Sequence, residues 1–288
     1  MSVAIMTDSN SGLSREEAKE YGITVVPMPF TVGGETYYEG VTITRAEFFE
    51  RLAAGEEITT SQPTPGMLIS LWDELLTTHE SVVYAPMSSG LSGSCETGRV
   101  LAAEFDGRVR VVDNKRISVP LVQALLDARR LADEGKTADE IGDILEETGA
   151  DNAVFITVDT LTYLKKGGRV TPLGAAVGTV LGIKPVLQIG GGKLDAYAKA
   201  RGMKQAKEMM IEALRKTMET KFAGVDPVTG LWLQAAHTVN DETALLWKAQ
   251  LEEAFPGMEC RMAPLGLSIA CHTGEGAVAC GITKRMFP

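Results

Sequence analysis

Two runs of small polar residues carry the side chains best suited to hold an anion. Thr7-Asp8-Ser9-Asn10-Ser11-Gly12 follows one apolar stretch; Met87-Ser88-Ser89-Gly90-Leu91-Ser92-Gly93-Ser94 follows another and leads into a helix expected from about Cys95. A hydroxyl- and glycine-rich turn entering a helix directs free N–H groups, the positive end of the helix dipole and serine donors to one point. The alternative is a tight turn with ordinary capping. The second run lacks both the G-x-G-x-x-G of a dinucleotide site and the lysine of a P-loop. It is not the G-x-S-x-G of a nucleophilic serine either, although Gly90-Leu91-Ser92-Gly93 comes near it. A hydrolase using Ser92, His272 and an unassigned acid stays formally open.

Other clusters are more ambiguous. Thr59-Thr60-Ser61-Gln62-Pro63-Thr64-Pro65-Gly66 offers hydroxyls without charge, and reads equally as a rigid loop with a helix cap. Leu164-Lys165-Lys166-Gly167-Gly168-Arg169 is a basic turn, either a solvated hairpin tip or a contact for phosphate or protein. Histidine is limited to His79, His237 and His272. His79 lies at a polar helix end, whereas His272 lies in the glycine-rich Ala270–Gly276 segment and is the best donor to a ligand. With no H-E-x-x-H, Cys/His cluster or acidic box, a zinc or calcium centre is not expected.

The elements around these clusters predict two domains. Val3–Met6, Ile23–Val26, Ser81–Tyr84 and Val109–Val112 read as short buried strands. Between them Ser14-x-x-Glu17, Thr44-x-x-Glu47 and Thr137-x-x-Glu140 mark helix starts as capping boxes, Thr64-Pro65 marks another, and a further helix follows Pro120 and stops at Gly135. Residues 1–150 are therefore expected to form an α/β domain with a mainly parallel sheet covered by helices. In residues 151–288 the strands Ala153–Val158, Lys184–Ile189, Lys193–Ala198, Leu231–Ala236, Met258–Met262 and Gly276–Thr283 surround helices from Met203 to about Phe222 and from Asn240 to Ala254. That pattern predicts an α+β domain with a mainly antiparallel sheet, including a hairpin through Gly190-Gly191-Gly192.

Composition bounds the function. The 288 residues are 44% hydrophobic and 23% charged, which excludes a disordered or collagen-like chain. The uncharged stretch Val170–Ile183 is interrupted by glycines and too short to span a bilayer, so no stable membrane insertion is expected. The apolar start before Asp8 has no basic flank, so no signal peptide is expected, and four cysteines without C-x-x-C spacing suit a reducing cytoplasm. A net charge of −10 speaks against nucleic acid. That charge is uneven: residues 1–150 carry 12 basic and 25 acidic side chains, residues 151–288 carry 16 and 13. The basic stretch Lys184, Lys193, Lys199, Arg201, Lys204, Lys207, Arg215 and Lys216 fits an anionic ligand, an acidic partner or simply a solvated helix face.

Taken in order, Thr7-Asp8-Ser9, Thr60-Ser61-Gln62-Pro63, Ser88-Ser89-Gly90-Leu91-Ser92-Gly93-Ser94, Leu164–Arg169, Gly182-Ile183-Lys184-Pro185 and His272-Thr273-Gly274-x-Gly276 resemble the DegV family along the whole chain. These bacterial proteins bind fatty acids, and some serve as the acyl-binding subunit of fatty acid kinase. The resemblance implies a long-chain fatty acid bound without any other cofactor, its carboxylate held by Thr60, Ser61 and Ser92, with Arg201 and His272 near the head group. It implies that Arg169 meets the kinase catalytic subunit, which would convert the bound acid to an acyl phosphate while this chain acts as a carrier and not an enzyme. Under the same resemblance Val170–Ile183 would wall an acyl tunnel. A serine-dependent lipid hydrolase and a small-molecule phosphotransferase are the rival readings. The chain departs from the family pattern at Asp113–Pro120, which lacks a glycine-rich continuation, and at Glu275, where proline is usual.

Overall fold

The computed structural model describes residues 2–177, 183–189 and 193–287. Its contacts divide the chain into two units, Met1–Ala150 with Gly266–Ser268, and Asp151–Leu265 with Ile269–Pro288.

The first unit runs β1 (Val3–Asp8), α1 (Arg15–Glu20), β2 (Ile23–Val26), β3 (Pro29–Val32), β4 (Glu35–Tyr38), α2 (Arg45–Ala53), β5 (Ile58–Thr60), α3 (Pro65–Leu75), β6 (Ser81–Tyr84), α4 (Ser94–Ala102), β7 (Val109–Val111), α5 (Val119–Asp133) and α6 (Ala138–Glu147). All three capping boxes form: Ser14, Thr44 and Thr137 each accept from the N–H of the glutamate three residues on, and that glutamate returns the bond. The main sheet is parallel throughout, in the order β2-β1-β6-β7. Val82, Tyr84, Val109 and Val111 bury one face with Leu68, Trp72 and Phe105, the Trp72 ring meeting Tyr84 and Phe105 edge-on. The sequence reading missed a three-stranded antiparallel sheet, β4-β3-β5. Its strands are only three or four residues long and largely polar outside β3, so they lack the apolar alternation by which strands are recognised.

The second unit runs β8 (Asn152–Thr157), α7 (Thr162–Gly167), α8 (Pro172–Val177), β9 (Ile183–Ile189), β10 (Leu194–Arg201), α9 (Met203–Thr220), α10 (Pro227–Gly230), β11 (Leu231–His237), α11 (Asp241–Ala254), β12 (Cys260–Pro264), α12 (Leu267–Thr273) and β13 (Val278–Lys284). The first residues of α12 group with the first unit. One six-stranded sheet, β10-β9-β8-β13-β11-β12, is antiparallel except between β11 and β12. Phe155, Val186, Leu233 and Cys280 on one sheet face meet Met210 and Leu214 of α9 and Trp247 and Leu251 of α11. The β9–β10 pairing bears out the expected hairpin strands, while Gly190-Gly191-Gly192 lies outside the described residues.

Candidate functional site

In the parallel sheet, β2 lies on one side of β1 and β6 on the other, so the chain reverses its direction of strand addition between β1 and β6. Open α/β sheets bind ligands beyond the carboxyl ends of their strands at such a reversal. Both hydroxyl-rich runs start there, one leaving β1 and one leaving β6. Asp8 joins them. It has no exposed surface, its Oδ1 accepts from Asn10 N at 2.9 Å, and its Oδ2 accepts from Met87 N at 2.9 Å. Burial pushes its carboxyl up to about 6, against the lowering effect of those two N–H donors. Thr7 Oγ1 adds a bond to Ala85 O at 2.7 Å.

A second carboxylate holds the same turn from the other side. Asp113 Oδ1 accepts from Ser89 N at 3.1 Å, and its Oδ2 accepts from Ser89 Oγ at 2.5 Å. Beyond these anchors the chain turns into α4 through Ser92 and Gly93. Ser92 Oγ lies 2.9 Å from Ser94 Oγ and accepts from Ser94 N at 3.2 Å. Among the described residues, Ser92 is partly buried and bonded to a neighbouring hydroxyl and a backbone N–H. Such an arrangement supplies a hydrogen-bonding hydroxyl beside a helix start. Gln62 stands over the turn, its Nε2 donating to Thr97 Oγ1 at 2.7 Å and its Oε1 lying 3.0 Å from where a side chain on Gly93 would begin.

Thr60 ends β5 opposite Phe30 and is partly buried; Ser61 follows it, exposed, with its N–H bonded to Pro29 O. The cap expected at Thr64 is present, with Oγ1 accepting from Met67 N.

In the second unit the expected loop around His272 is the last turn of a helix, α12, and the glycine-rich loop begins only at Gly274. The basic Leu164–Arg169 turn is likewise helical at its start: α7 ends at Gly167, and Gly168, with φ 67°, closes it by bonding Leu164 O and Lys165 O. These two motifs meet. A Cβ on Gly167 would lie 2.6 Å from His272 Cε1 and closer still to Nδ1, so the imidazole rests directly on the α7 backbone. Burial, with a smaller effect of the Arg169 charge, lowers the imidazole to about 4, which keeps it neutral at pH 7. Arg169 donates to Gly167 O at 2.6 Å. Gly274 serves the same assembly: its φ is 71°, a Cβ there would lie 2.7 Å from the Tyr163 ring, and its carbonyl accepts from Thr238 Oγ1 at 2.7 Å.

Arg201 is exposed at the end of β10, its backbone N–H bonded to Gln205 Oε1. The lysines of the basic stretch disperse. Lys184 pairs with Asp159 at 2.6 Å, and Lys204, Lys207 and Arg215 line an open groove between α9 and α11 together with Glu208, Glu212 and Glu253. That groove, about 740 Å³, holds none of the candidate residues, and its mixed charges fit the solvated-face reading. In the Val170–Ile183 segment, Pro172–Val177 is helical and Gly174 packs closely on Val170 and Leu194; Gly178 and Gly182 lie outside the described residues. Among the described residues, no group of three or more His, Cys, Asp or Glu side chains is placed to hold a metal ion, and no helix is long and apolar enough to cross a membrane.

Asp113, Gln62 and Gly167 lie inside motifs visible in the sequence, but their contacts with Ser89, Thr97 and His272 join distant segments and have no local signal. The class so defined is a two-unit α/β protein whose first unit presents hydroxyl and backbone donors at the switch point of a parallel sheet. The chain belongs to the DegV family, which it matches over residues 2–285. A DegV domain-containing protein of Deinococcus radiodurans is 32% identical over 280 residues, covering 96% of this chain and 97% of that one. Among solved structures, a fatty-acid-binding DegV family protein from Thermus thermophilus matches with TM-score 0.88 and 30% identity, over 99% of this chain and 100% of that chain. DegV, a fatty acid binding protein from Bacillus subtilis, matches with TM-score 0.86 and 26% identity, again over 99% and 100%.

Proposed function

We propose that this protein binds a long-chain fatty acid non-covalently in the cytoplasm and presents its carboxylate to a separate kinase for acyl-phosphate formation. The observation that carries the reading is the end-to-end match to the Thermus thermophilus fatty-acid-binding protein. The local chemistry supports it. Thr60, Ser61 and Ser92 are uncharged donors, and Ser92 stands at the start of the nine-residue α4. A carboxylate taken from water needs two or more such bonds to offset desolvation, and charge-assisted bonds contribute about 1.5–3 kcal/mol each. Burying a tail of ~16 carbons at about 0.8 kcal/mol per methylene gains on the order of 10 kcal/mol before association costs. The tail therefore supplies most of the affinity and the polar end sets direction.

Arg201 and His272 complete the proposed head-group set. With its imidazole neutral at pH 7, His272 serves as a hydrogen-bonding group, and compensation of the ligand's charge falls to arginine. Arg169 is assigned to the kinase contact. Extraction of the purified protein under denaturing conditions, followed by mass spectrometry, tests the whole reading: a co-purified fatty acid is expected, and a lipid-free protein that long-chain acids fail to stabilise against heat would sink it. Ser92→Ala combined with Thr60→Ala should weaken lipid retention, while Arg169→Ala should spare it and slow phosphorylation by the kinase. Loss of lipid from Arg169→Ala would move that residue into the head-group set, where its proximity to His272 would place it.

A further inference from the structure

The loop between β7 and α5 holds a serine in a conformation that L-residues rarely enter. Ser118 has φ 56° and ψ −140°, and is 4% exposed. It occupies the N-cap of the fifteen-residue α5, where a serine ordinarily accepts from the first N–H groups of its helix, yet it makes no such bond. Its Oγ has no hydrogen-bond partner among the described residues.

Two more buried polar atoms share this condition on adjoining loops. Asn10 is 1% exposed and lies beside Ser118, whose N–H donates to Asn10 O at 2.9 Å. Asn10 Nδ2 reaches Met87 Sδ, and its Oδ1 is unpaired. Asn114, fully buried on the Ser118 loop, accepts from Arg116 N through Oδ1 and leaves Nδ2 unpaired. Ile117, next to Ser118, packs with Met28, Met87 and Leu91, which gives the place an apolar wall.

Buried polar groups in folded proteins are nearly always satisfied, and a single buried water typically makes about three hydrogen bonds. We propose that Ser118, Asn10 and Asn114 form a buried binding site for one uncharged hydroxylic group, which donates to Asn10 and accepts from Ser118 and Asn114. An anionic guest does not fit: the amide oxygen of Asn10 would repel it, and the buried Asp8 carboxylate already takes the Asn10 N–H. The O–H belongs either to an ordered water or to the protonated polar end of a small ligand, and the site stands whether or not the chain binds fatty acid.

High-resolution crystal structures of the full chain, delipidated and loaded with a long-chain fatty acid, test this directly. An oxygen within hydrogen-bonding distance of both Ser118 Oγ and the Asn10 amide is expected. Its presence in both forms identifies water; its presence only in the loaded form identifies the acid's own protonated end, which would move the head group away from Thr60, Ser61 and Ser92; and its absence from both overturns the proposal. A double-mutant cycle of Ser118→Ala and Asn10→Ala, followed by urea unfolding of the delipidated chain, gives a second reading. The structure shows no direct bond between these side chains, so coupling has to pass through the guest. Where water is the guest, the double variant should unfold at least about fivefold less readily than the two single effects predict; additive effects in that form exclude water and leave only a ligand, seen by a cycle repeated with lipid bound, and additivity in both overturns the site. If Ser118→Ala does not fold, Ser118→Gly takes its place, because glycine enters that backbone conformation freely.

Discussion

Substituting Gly167 by alanine should unseat His272 without breaking the helix that carries Gly167. Gly167 is the last residue of α7 and has no positive φ, so alanine adopts its backbone conformation without strain and α7 itself has no reason to unfold. The new Cβ would stand 2.6 Å from His272 Cε1, well inside any real carbon contact, and the ring has to move outward. Burial is the larger cause of the depressed imidazole, so outward movement into water should raise its pKa from about 4 by about one unit or more, toward the ordinary 6.5. The energetic consequence follows from linkage. Between pH 6.5 and 4 the unfolded chain takes up a proton that the folded chain refuses, so this histidine's contribution is fully present above pH 6.5 and is lost as pH falls toward 4. A difference of about 2.5 units corresponds to roughly 3 kcal/mol. The Gly167→Ala variant should therefore lose less stability on acidification than the parent, although overpacking costs it about 1–3 kcal/mol at neutral pH. NMR titration of the imidazole C–H signals reads this cleanly, because His79 and His237 are the other histidines and serve as internal controls. A parent His272 that titrates above about pH 6, or a variant in which it does not move, would refute the reasoning.

Other perturbations separate the remaining contributions. Asp8 runs opposite to His272: its folded pKa is raised from 3.8 to about 6, so its contribution is present below pH 3.8 and lost as pH rises through 6. Asp8→Asn should remove that loss, so hydrogen exchange of the β1 and β6 amides should become less pH-dependent between about pH 4 and 6, and an unchanged pH profile would contradict the assignment. Thr137→Ala deletes one half of a formed capping box and should cost about 1 kcal/mol in denaturant unfolding. Gly281→Ala places a Cβ 2.9 Å from Ala153 O between β13 and β8 and should lower the melting temperature through an overpacking cost of about 1–3 kcal/mol; a neutral result would mean that the two strands separate readily.

Much of the architecture was legible because it is local. Ile23–Val26 and Ser81–Tyr84 are strands at the expected bounds, and Asn240 caps a helix that runs to Ala254. Their signals, a β-branched run or a hydroxyl or amide before an amphipathic turn, need no information beyond a few neighbouring residues. The β4-β3-β5 sheet was hidden because β4 and β5 are short and largely polar, so that only β3, with buried Phe30 and Val32, carries an apolar face, and four residues are too few to mark a strand. The identity of α12 was hidden too, since the Ala270–Gly276 run contains the glycines that end the helix and suggested a loop for the whole segment.

For the site, the sequence by itself determined which chemistry is on offer: hydroxyls and glycines after two strands, few histidines, and cations mainly in the second half. Tertiary structure decided how each group can be used. The parallel order β2-β1-β6-β7 puts the two hydroxyl runs side by side and lets one buried carboxylate, Asp8, hold both. Packing of α12 on α7 turns His272 from a titratable side chain into a neutral one. The physical reason for the division is range: capping and strand propensity act over a few residues along the chain, whereas desolvation and the satisfaction of buried polar groups depend on whatever distant segment arrives beside them.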